Sequence, residues 1–204
     1  MKFIEFKKIP RLSREVIITE KIDGTNASIF IEHVPTQAAI EGLSYDEVKY
    51  GDTEILYCTD EWTIRAGSRT KWITPKDDNM GFAKWVVANA VELTKLGPGQ
   101  HFGEWWGQGI QRGYGLKEKR FSLFNTSRWG DPDSRPECCG VVPTLFSGMF
   151  STLDIEMTLT QLATTGSVAA PEFMKPEGIV IYHTAGDYYF KKTIEKDESP
   201  KGVV

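Results

Sequence analysis

The sequence has few cysteines, and this scarcity excludes two classes of small protein. The three cysteines, Cys58, Cys138 and Cys139, form no Cys-x-x-Cys pair and are odd in number. Disulfide frameworks and structural zinc sites both depend on sets of paired ligands, so neither is indicated. A reducing, cytoplasmic setting is the default expectation.

The sequence also lacks an excess of positive charge and any long apolar run. Its formal net charge is −4, so contact with nucleic acid would have to be confined to a local patch. We expect no secretory signal and no membrane segment. With 204 residues, 12% of them aromatic, the chain is long enough for one domain with a well-filled core.

One stretch, residues 20–26, reads EKIDGTN and lies between two apolar runs. The β-branched runs at 16–18 and 27–31 are typical of strands, and we interpret residues 14–34 as a β-hairpin. Gly24 allows either a positive φ or the close approach of another group, which suits a turn at the mouth of a pocket.

The lysine of this stretch is a candidate nucleophile. Alternation along a strand would place Lys21 and Asp23 on one face, and Glu20 and Ile22 on the other. A lysine amine with the reference pKa of about 10.4 is almost fully protonated at neutral pH, whereas desolvation or a nearby cation frees its lone pair. The alternative is a surface hairpin with a Lys–Asp pair.

The string EKIDGTN resembles motif I of the covalent nucleotidyltransferases, which include ATP-dependent DNA and RNA ligases and messenger-RNA capping enzymes. It is most similar to the bacteriophage and RNA-editing type of RNA ligase, which commonly has His at the position of Asp23. The resemblance implies that Lys21 attacks the α-phosphate of ATP and carries AMP. It also implies that Glu20, Ile22 and Asn26 lie beside the nucleotide.

Arg69 and Thr70 match an Arg-Thr pair that contacts the nucleotide or its phosphates in the related ligases. A guanidinium can bind phosphate through two donors at once. Arg65 is the weaker candidate, and a surface turn is the alternative interpretation of this segment.

Residues 101–107, which read HFGEWWG, resemble motif III. The resemblance places Glu104 at the ribose and metal region. A glutamate is costly to bury without partners, so a solvent-facing glutamate on an edge strand is the alternative. The glycine-rich residues 107–115 are interpreted as a flexible segment that a nucleotide or polynucleotide orders, or as a simple long loop.

Residues 120–125, which read RFSLFN, alternate as a strand and resemble motif IIIa. There an aromatic ring stacks on the purine, which implies Phe124 first and Phe121 second. Asn125 replaces the usual Asp. Without the resemblance, an aromatic on such a strand would be assigned to the core.

Two closing strings resemble motifs IV and V. Residues 175–182 contain Glu177, implied to help hold a divalent cation; magnesium keeps several waters, so Glu104 and Glu177 could both act through water. Residues 187–193 contain Lys191, implied to bind phosphate. Family members usually carry Lys-x-Lys, but here alternation puts Lys192 on the opposite face from Lys191. The second lysine is therefore either lost or supplied by Lys192 or Lys196.

The remaining elements are predicted from periodicity and breakers. A helix capped by Asn79 is expected over residues 79–96, with its Trp and Phe in the core. The other expected elements are strands at 54–58 and 141–146, a loop at 127–137, a helix at 154–165 and a short helix near Asp46.

The motifs occur in family order over residues 20–193. The resemblance implies an α+β fold of antiparallel sheets with flanking helices. Relatives continue into an OB-fold or helical C-terminal domain, whereas here we expect a single adenylyltransferase domain over residues 1–204 without either. It further implies ATP and Mg²⁺ (or Mn²⁺), and RNA or DNA ends or nicks with a 5′-phosphate as partners.

The expected activity is the joining of 5′-phosphate and 3′-hydroxyl ends through lysyl-AMP, with RNA ahead of DNA. Three alternatives stay open: a DNA ligase, a capping-type guanylyltransferase, and a non-catalytic nucleotide- or end-binding module. The oligomeric state is open, and the expected location is cytoplasmic, or the host cytoplasm for a viral protein.

Overall fold

The computed structural model describes residues 3–33, 54–59 and 61–198. These residues contain both antiparallel strands and helices, which confirms the predicted α+β class. The strands are β1 (Glu15–Lys21), β2 (Thr25–His33), β3 (Ile55–Cys58), β4 (Trp62–Ser68), β5 (Trp72–Ile73), β6 (Gly99–Gly107), β7 (Lys119–Leu123), β8 (Cys139–Val141), β9 (Thr144–Met149), β10 (Gly178–His183) and β11 (Tyr188–Thr193). The α-helices are α1 (Phe82–Leu93), α2 (Thr126–Trp129) and α3 (Thr152–Thr165). The expected helix near Asp46 lies outside the described residues.

The chain divides into two compact units. The first comprises residues 1–22 and 142–204, and its four-stranded antiparallel sheet has the order β11-β10-β1-β9. The second comprises residues 23–141, and its larger sheet has the order β3-β4-β2-β6-β7-β8, with β5 paired to β4. In this sheet β7 and β8 run parallel. The single domain expected over residues 1–204 stays a prediction.

Strands β1 and β2 both exist, but they do not form the predicted hairpin over residues 14–34. Strand β1 pairs with β9 and β10, whereas β2 pairs with β4 and β6. The hairpin prediction is therefore wrong. Strand propensity is local, but the choice of partner depends on strands far along the chain, which a short apolar run does not specify.

The core of the first unit lies between its sheet and helix α3. Val16 and Ile18 share one face of β1, and they pack with Ile179, Ile181 and Leu162. Helix α3 begins where the Ser151 hydroxyl accepts a hydrogen bond from the Asp154 N–H, a typical N-cap. Burial of each such aliphatic side chain stabilises the fold by about 1.5–3 kcal/mol.

The core of the second unit lies between its sheet and helix α1. Phe82, Val86 and Leu93 of the helix are fully buried and pack with Ile29 and Trp105 of the sheet. Their spacing confirms the periodicity seen over residues 79–96, and a 3₁₀ turn at Thr94–Leu96 completes the predicted length. This element is scaffold, as expected.

The predicted cap of helix α1 is wrong. The Asp78 carboxylate accepts hydrogen bonds from the N–H groups of Ala83 and Lys84, at 2.8 and 3.2 Å. Asn79 instead donates through its side-chain amide to the Thr25 hydroxyl, at 3.1 Å. Asp and Asn are both good capping residues, so composition alone does not choose between neighbours.

The other local predictions are confirmed in part. The strand predicted at 54–58 is β3, and the helix predicted at 154–165 is α3. The strand predicted at 141–146 begins later, as β9, and the loop predicted at 127–137 contains most of α2 and a 3₁₀ turn. No helix in the described part of the chain is long and apolar enough to cross a membrane.

Candidate functional site

The predicted nucleophile, Lys21, is the last residue of β1 and is ion-paired. Its Nζ lies 2.6 Å from Oε2 of Glu177, a carboxylate that is only 3% exposed. Glu177 immediately precedes β10, and the register of the sheet pairs Lys21 with Gly178. The structure therefore brings together two residues of the first unit that the sequence places in motifs I and IV.

Gly178 is required where it stands. Its φ is +158°, and a Cβ at this position would overlap the carbonyl oxygen of Lys192 on the next strand. In the sheet, Gly178 also lies directly between Lys21 and Thr193. The absence of a side chain here lets β10 and β11 approach each other closely beside the end of β1.

The two lysines of motif V lie on opposite faces of the sheet, as alternation predicts. Lys191 is paired with Val180 and, through it, with Thr19, so it shares a face with Lys21. We call this the lysine face. Lys192 lies on the helix face, where its Nζ is 2.9 Å from Glu156 of α3. The phosphate-binding role of Lys191 stays a prediction.

Glu20, next to the nucleophile, is buried on the helix face at 1% exposure. Its Oε1 accepts a hydrogen bond from the Ser167 hydroxyl at 2.5 Å, and its Oε2 accepts from the N–H groups of Val168 and Ala169 at 2.8 and 2.9 Å. Glu20 thus anchors the loop after α3 to the strand that carries Lys21. Its nucleotide contact, like that of the buried Ile22, stays a prediction.

In the second unit, Glu104 lies on β6 between β2 and β7, so the edge-strand alternative is wrong. It is half-buried, pairs in register with Asn26, and accepts a hydrogen bond from the Gly24 N–H through Oε1 at 3.0 Å. A Cβ on Gly24 would lie 2.5 Å from the Trp105 carbonyl oxygen. Close approach, rather than a positive φ, is therefore what this glycine provides.

Asp23 is held by the glycine-rich segment. Its carboxylate pairs with Arg112 at 3.1 Å, and its N–H donates to the Tyr114 hydroxyl at 2.7 Å. Tyr114 and Ile110 are buried within consecutive turns over residues 107–115, which supports the simple-loop alternative over a flexible segment. The part played by Tyr114 was missed because a lone tyrosine between glycines gives no local signal.

The two phenylalanines of motif IIIa differ in position. Phe121 is fully buried against Phe82, with ring centroids 5.0 Å apart, so its second-choice role in purine stacking is wrong. The Phe124 N–H donates to the Phe102 carbonyl at 3.0 Å, which extends the pairing of β6 and β7 by one residue. Because side chains alternate along a strand, the Phe124 ring is directed to the face opposite the core. Asn125 caps α2 by accepting from the Arg128 N–H.

The remaining predicted arginine, Arg69, is exposed in the turn between β4 and β5. Arg65 is engaged in an ion pair with Glu32 at 2.8 Å. Among residues 3–33, 54–59 and 61–198, no cluster of three or more His, Cys, Asp or Glu side chains could hold a metal ion. One or two carboxylates fit a magnesium-type cation that keeps its waters and binds substrate phosphates.

A family model described as RNA ligase matches residues 14–195, nearly the whole chain. The protein therefore belongs to the RNA ligase family. No curated protein matches it closely enough to count as a relative.

Solved structures of Naegleria gruberi RNA ligase are similar to the chain. A lysine-to-alanine mutant with ATP and Mn is 17% identical, with a TM-score of 0.49, and the match covers 89% of this chain and 50% of that one. A lysine-to-methionine mutant with AMP and Mn is 18% identical, with a TM-score of 0.48 and the same coverage. The present chain thus spans about half the length of these structures.

Proposed function

We propose that this protein is an ATP-dependent RNA ligase that works through a covalent lysyl-AMP intermediate on Lys21. The observation that carries the proposal is the Lys21–Glu177 pair, 2.6 Å long, in a chain of the RNA ligase family. An amine at the end of a strand, beside a buried carboxylate, suits attack on a phosphate.

In the first step, the Lys21 ammonium loses a proton and Nζ attacks the α-phosphorus of ATP. The N–P bond forms, the bond from the α-phosphorus to the bridging oxygen breaks, and pyrophosphate leaves. Glu177 is proposed to hold a divalent cation, Mg²⁺ or Mn²⁺, whose charge favours the neutral amine and offsets the phosphate charge. Lys191, on the same face, is proposed to bind phosphate.

In the second step, an oxygen of an RNA 5′-phosphate attacks the α-phosphorus and Lys21 leaves as the amine. In the third step, a 3′-hydroxyl attacks the activated 5′-phosphate, AMP leaves, and a phosphodiester forms. Catalysis of this kind is mostly positioning and charge neutralisation. In the second unit, nucleotide contacts are proposed for four residues: Asn26, Arg69, Glu104 and Phe124. A role in metal binding is also proposed for Glu104.

The test is a joining assay with a 5′-phosphorylated RNA, ATP and Mg²⁺ or Mn²⁺. We expect joined RNA with ATP, little with GTP, and none with Lys21→Ala. Parallel reactions with DNA of the same sequence and with nicked duplexes identify the substrate class. Exclusive sealing of DNA, or covalent labelling by GTP alone, would replace RNA ligation by a DNA ligase or a capping-type activity.

A further inference from the structure

An exposed pair of tyrosines lies on the lysine face of the first unit, next to Lys191 along the strands. Tyr182 of β10 and Tyr189 of β11 are paired in register, and their rings stack with centroids 4.6 Å apart at an angle of 29°. Tyr189 is 55% exposed. It lies on β11, an edge strand, and exposed apolar side chains on an edge strand favour unwanted pairing with another protein chain. This exposure calls for a functional explanation.

The pair is held in place and stays uncharged. The Tyr182 hydroxyl donates to Asp187 at 2.8 Å, which fixes its ring and raises the pKa of Tyr182. Partial burial raises the pKa of Tyr189. Two neutral, oriented rings form a surface on which a further planar ring can stack.

We propose that the 5′-terminal base of a single-stranded RNA stacks on the exposed face of the Tyr189 ring, which Tyr182 supports from the other side, while Lys191 binds the 5′-phosphate. The proposal rests on the proposed function, because it places the RNA that enters after pyrophosphate has left. Single-stranded RNA is recognised by stacking on aromatic side chains combined with local positive charge. Lys191 and Tyr189 are two residues apart, about 7 Å along the strand, which suits the phosphate and base of one nucleotide.

The lysine beside the two rings favours RNA over other occupants of this face. With a net charge of −4, the chain needs a local cation to attract a phosphate, and Lys191 supplies one on the same face as the rings. Lys192 is directed to Glu156 on the other face. A strand of a second protein copy at the β11 edge is the competing occupant.

The same strand offers a matched control. Tyr188 precedes Tyr189, is 63% exposed, and lies on the helix face beside Phe190. Tyr188→Leu and Tyr189→Leu remove the same ring from the same edge strand, so they differ only in the face affected. Tyr189→Phe removes the hydroxyl and keeps the ring.

The experiment measures binding of a fluorescent, 5′-phosphorylated single-stranded RNA to each full-length variant without ATP, by anisotropy. Tyr189→Leu should weaken binding about tenfold or more, whereas Tyr188→Leu and Tyr189→Phe should change it little. An RNA whose first nucleotide lacks its base should bind the unmodified protein equally weakly. The affinity for that RNA should not fall further when the protein carries Tyr189→Leu, because the missing base and the missing ring remove the same stacking contact.

Unchanged affinity of Tyr189→Leu, or an equal loss with Tyr188→Leu, would overturn the proposal. So would a change in oligomeric state on Tyr189→Leu, which would assign the face to a second copy. Lysyl-AMP formation with ATP and Mg²⁺ or Mn²⁺ is measured in every variant and needs no RNA. Failure of the proposed function would abolish that signal throughout, whereas failure of this inference would leave it intact.

Discussion

The two faces of the first unit's sheet are built from the same strands but differ in burial and in the groups that they present. On the helix face, Ile18 and Ile179 are fully buried and the Glu20 carboxylate accepts three hydrogen bonds. On the lysine face, Lys21 and Lys191 remain accessible in part. Adjacent residues thus divide between the buried core and the accessible face, because a strand alternates its side chains.

The largest effect should come from Glu177→Gln on the lysine face. The change removes the carboxylate charge beside Lys21 and should slow lysyl-AMP formation by about 10²–10³-fold, the range for loss of one preorganised electrostatic group. The measurement is a time course of AMP incorporation. Glu156→Gln, which breaks the exposed pair with Lys192 on the helix face, is the control and should leave the rate unchanged. Similar rates for both variants would contradict the comparison.

The next effect is on stability and comes from the helix face. Ile179→Ala opens a cavity beneath α3 and should lower the free energy of unfolding by about 2–5 kcal/mol. Val180→Ala changes the neighbouring, half-buried residue on the lysine face and should cost less than half as much. Denaturant titration measures both. Equal costs would mean that the lysine face is packed as tightly as the helix face.

A smaller effect separates the two lysines of motif V. Lys191→Ala should slow RNA joining by about tenfold, since it removes a cation proposed to bind phosphate. Lys192→Ala removes only an exposed ion pair and should change stability by at most about 1 kcal/mol, with joining unaffected. Gel-based joining rates decide between them. A larger loss with Lys192→Ala would reassign the phosphate-binding lysine.

The smallest effect concerns the Glu20 anchor. Ser167→Ala removes one of its three donors, and it also removes the hydroxyl that accepts a hydrogen bond from the Ala170 N–H. It should destabilise the protein by about 1–2 kcal/mol, because the two N–H donors to Glu20 remain. Thermal unfolding measures the change. A shift as large as that of Ile179→Ala would show that the loop after α3 depends on the hydroxyl alone.

Much of this arrangement could be predicted from the sequence. Alternation correctly separated Lys191 from Lys192, and the apolar periods located α1 and α3. The family string indicated Lys21 and Glu177 separately, and the sheet register then explains why they meet. These features can be predicted because they depend either on neighbouring residues or on the order of the motifs along the chain.

The rest depends on contacts between distant residues. Nothing near Ser167 indicates that its loop will bind Glu20, and the apolar runs around Lys21 do not show that β1 and β2 join different sheets. Backbone geometry decides that Asp78, rather than Asn79, accepts hydrogen bonds from the first turn of α1. Phe121 could have been assigned to the core from alternation alone.

The most direct test of the central claim is the intact mass of the protein after incubation with ATP and a divalent cation, followed by fragmentation to locate the adduct. We predict a gain of one AMP on Lys21, absent in Lys21→Arg, which keeps a positive charge but lacks the primary amine. An adduct on another residue, or an undiminished gain in Lys21→Arg, would contradict the account.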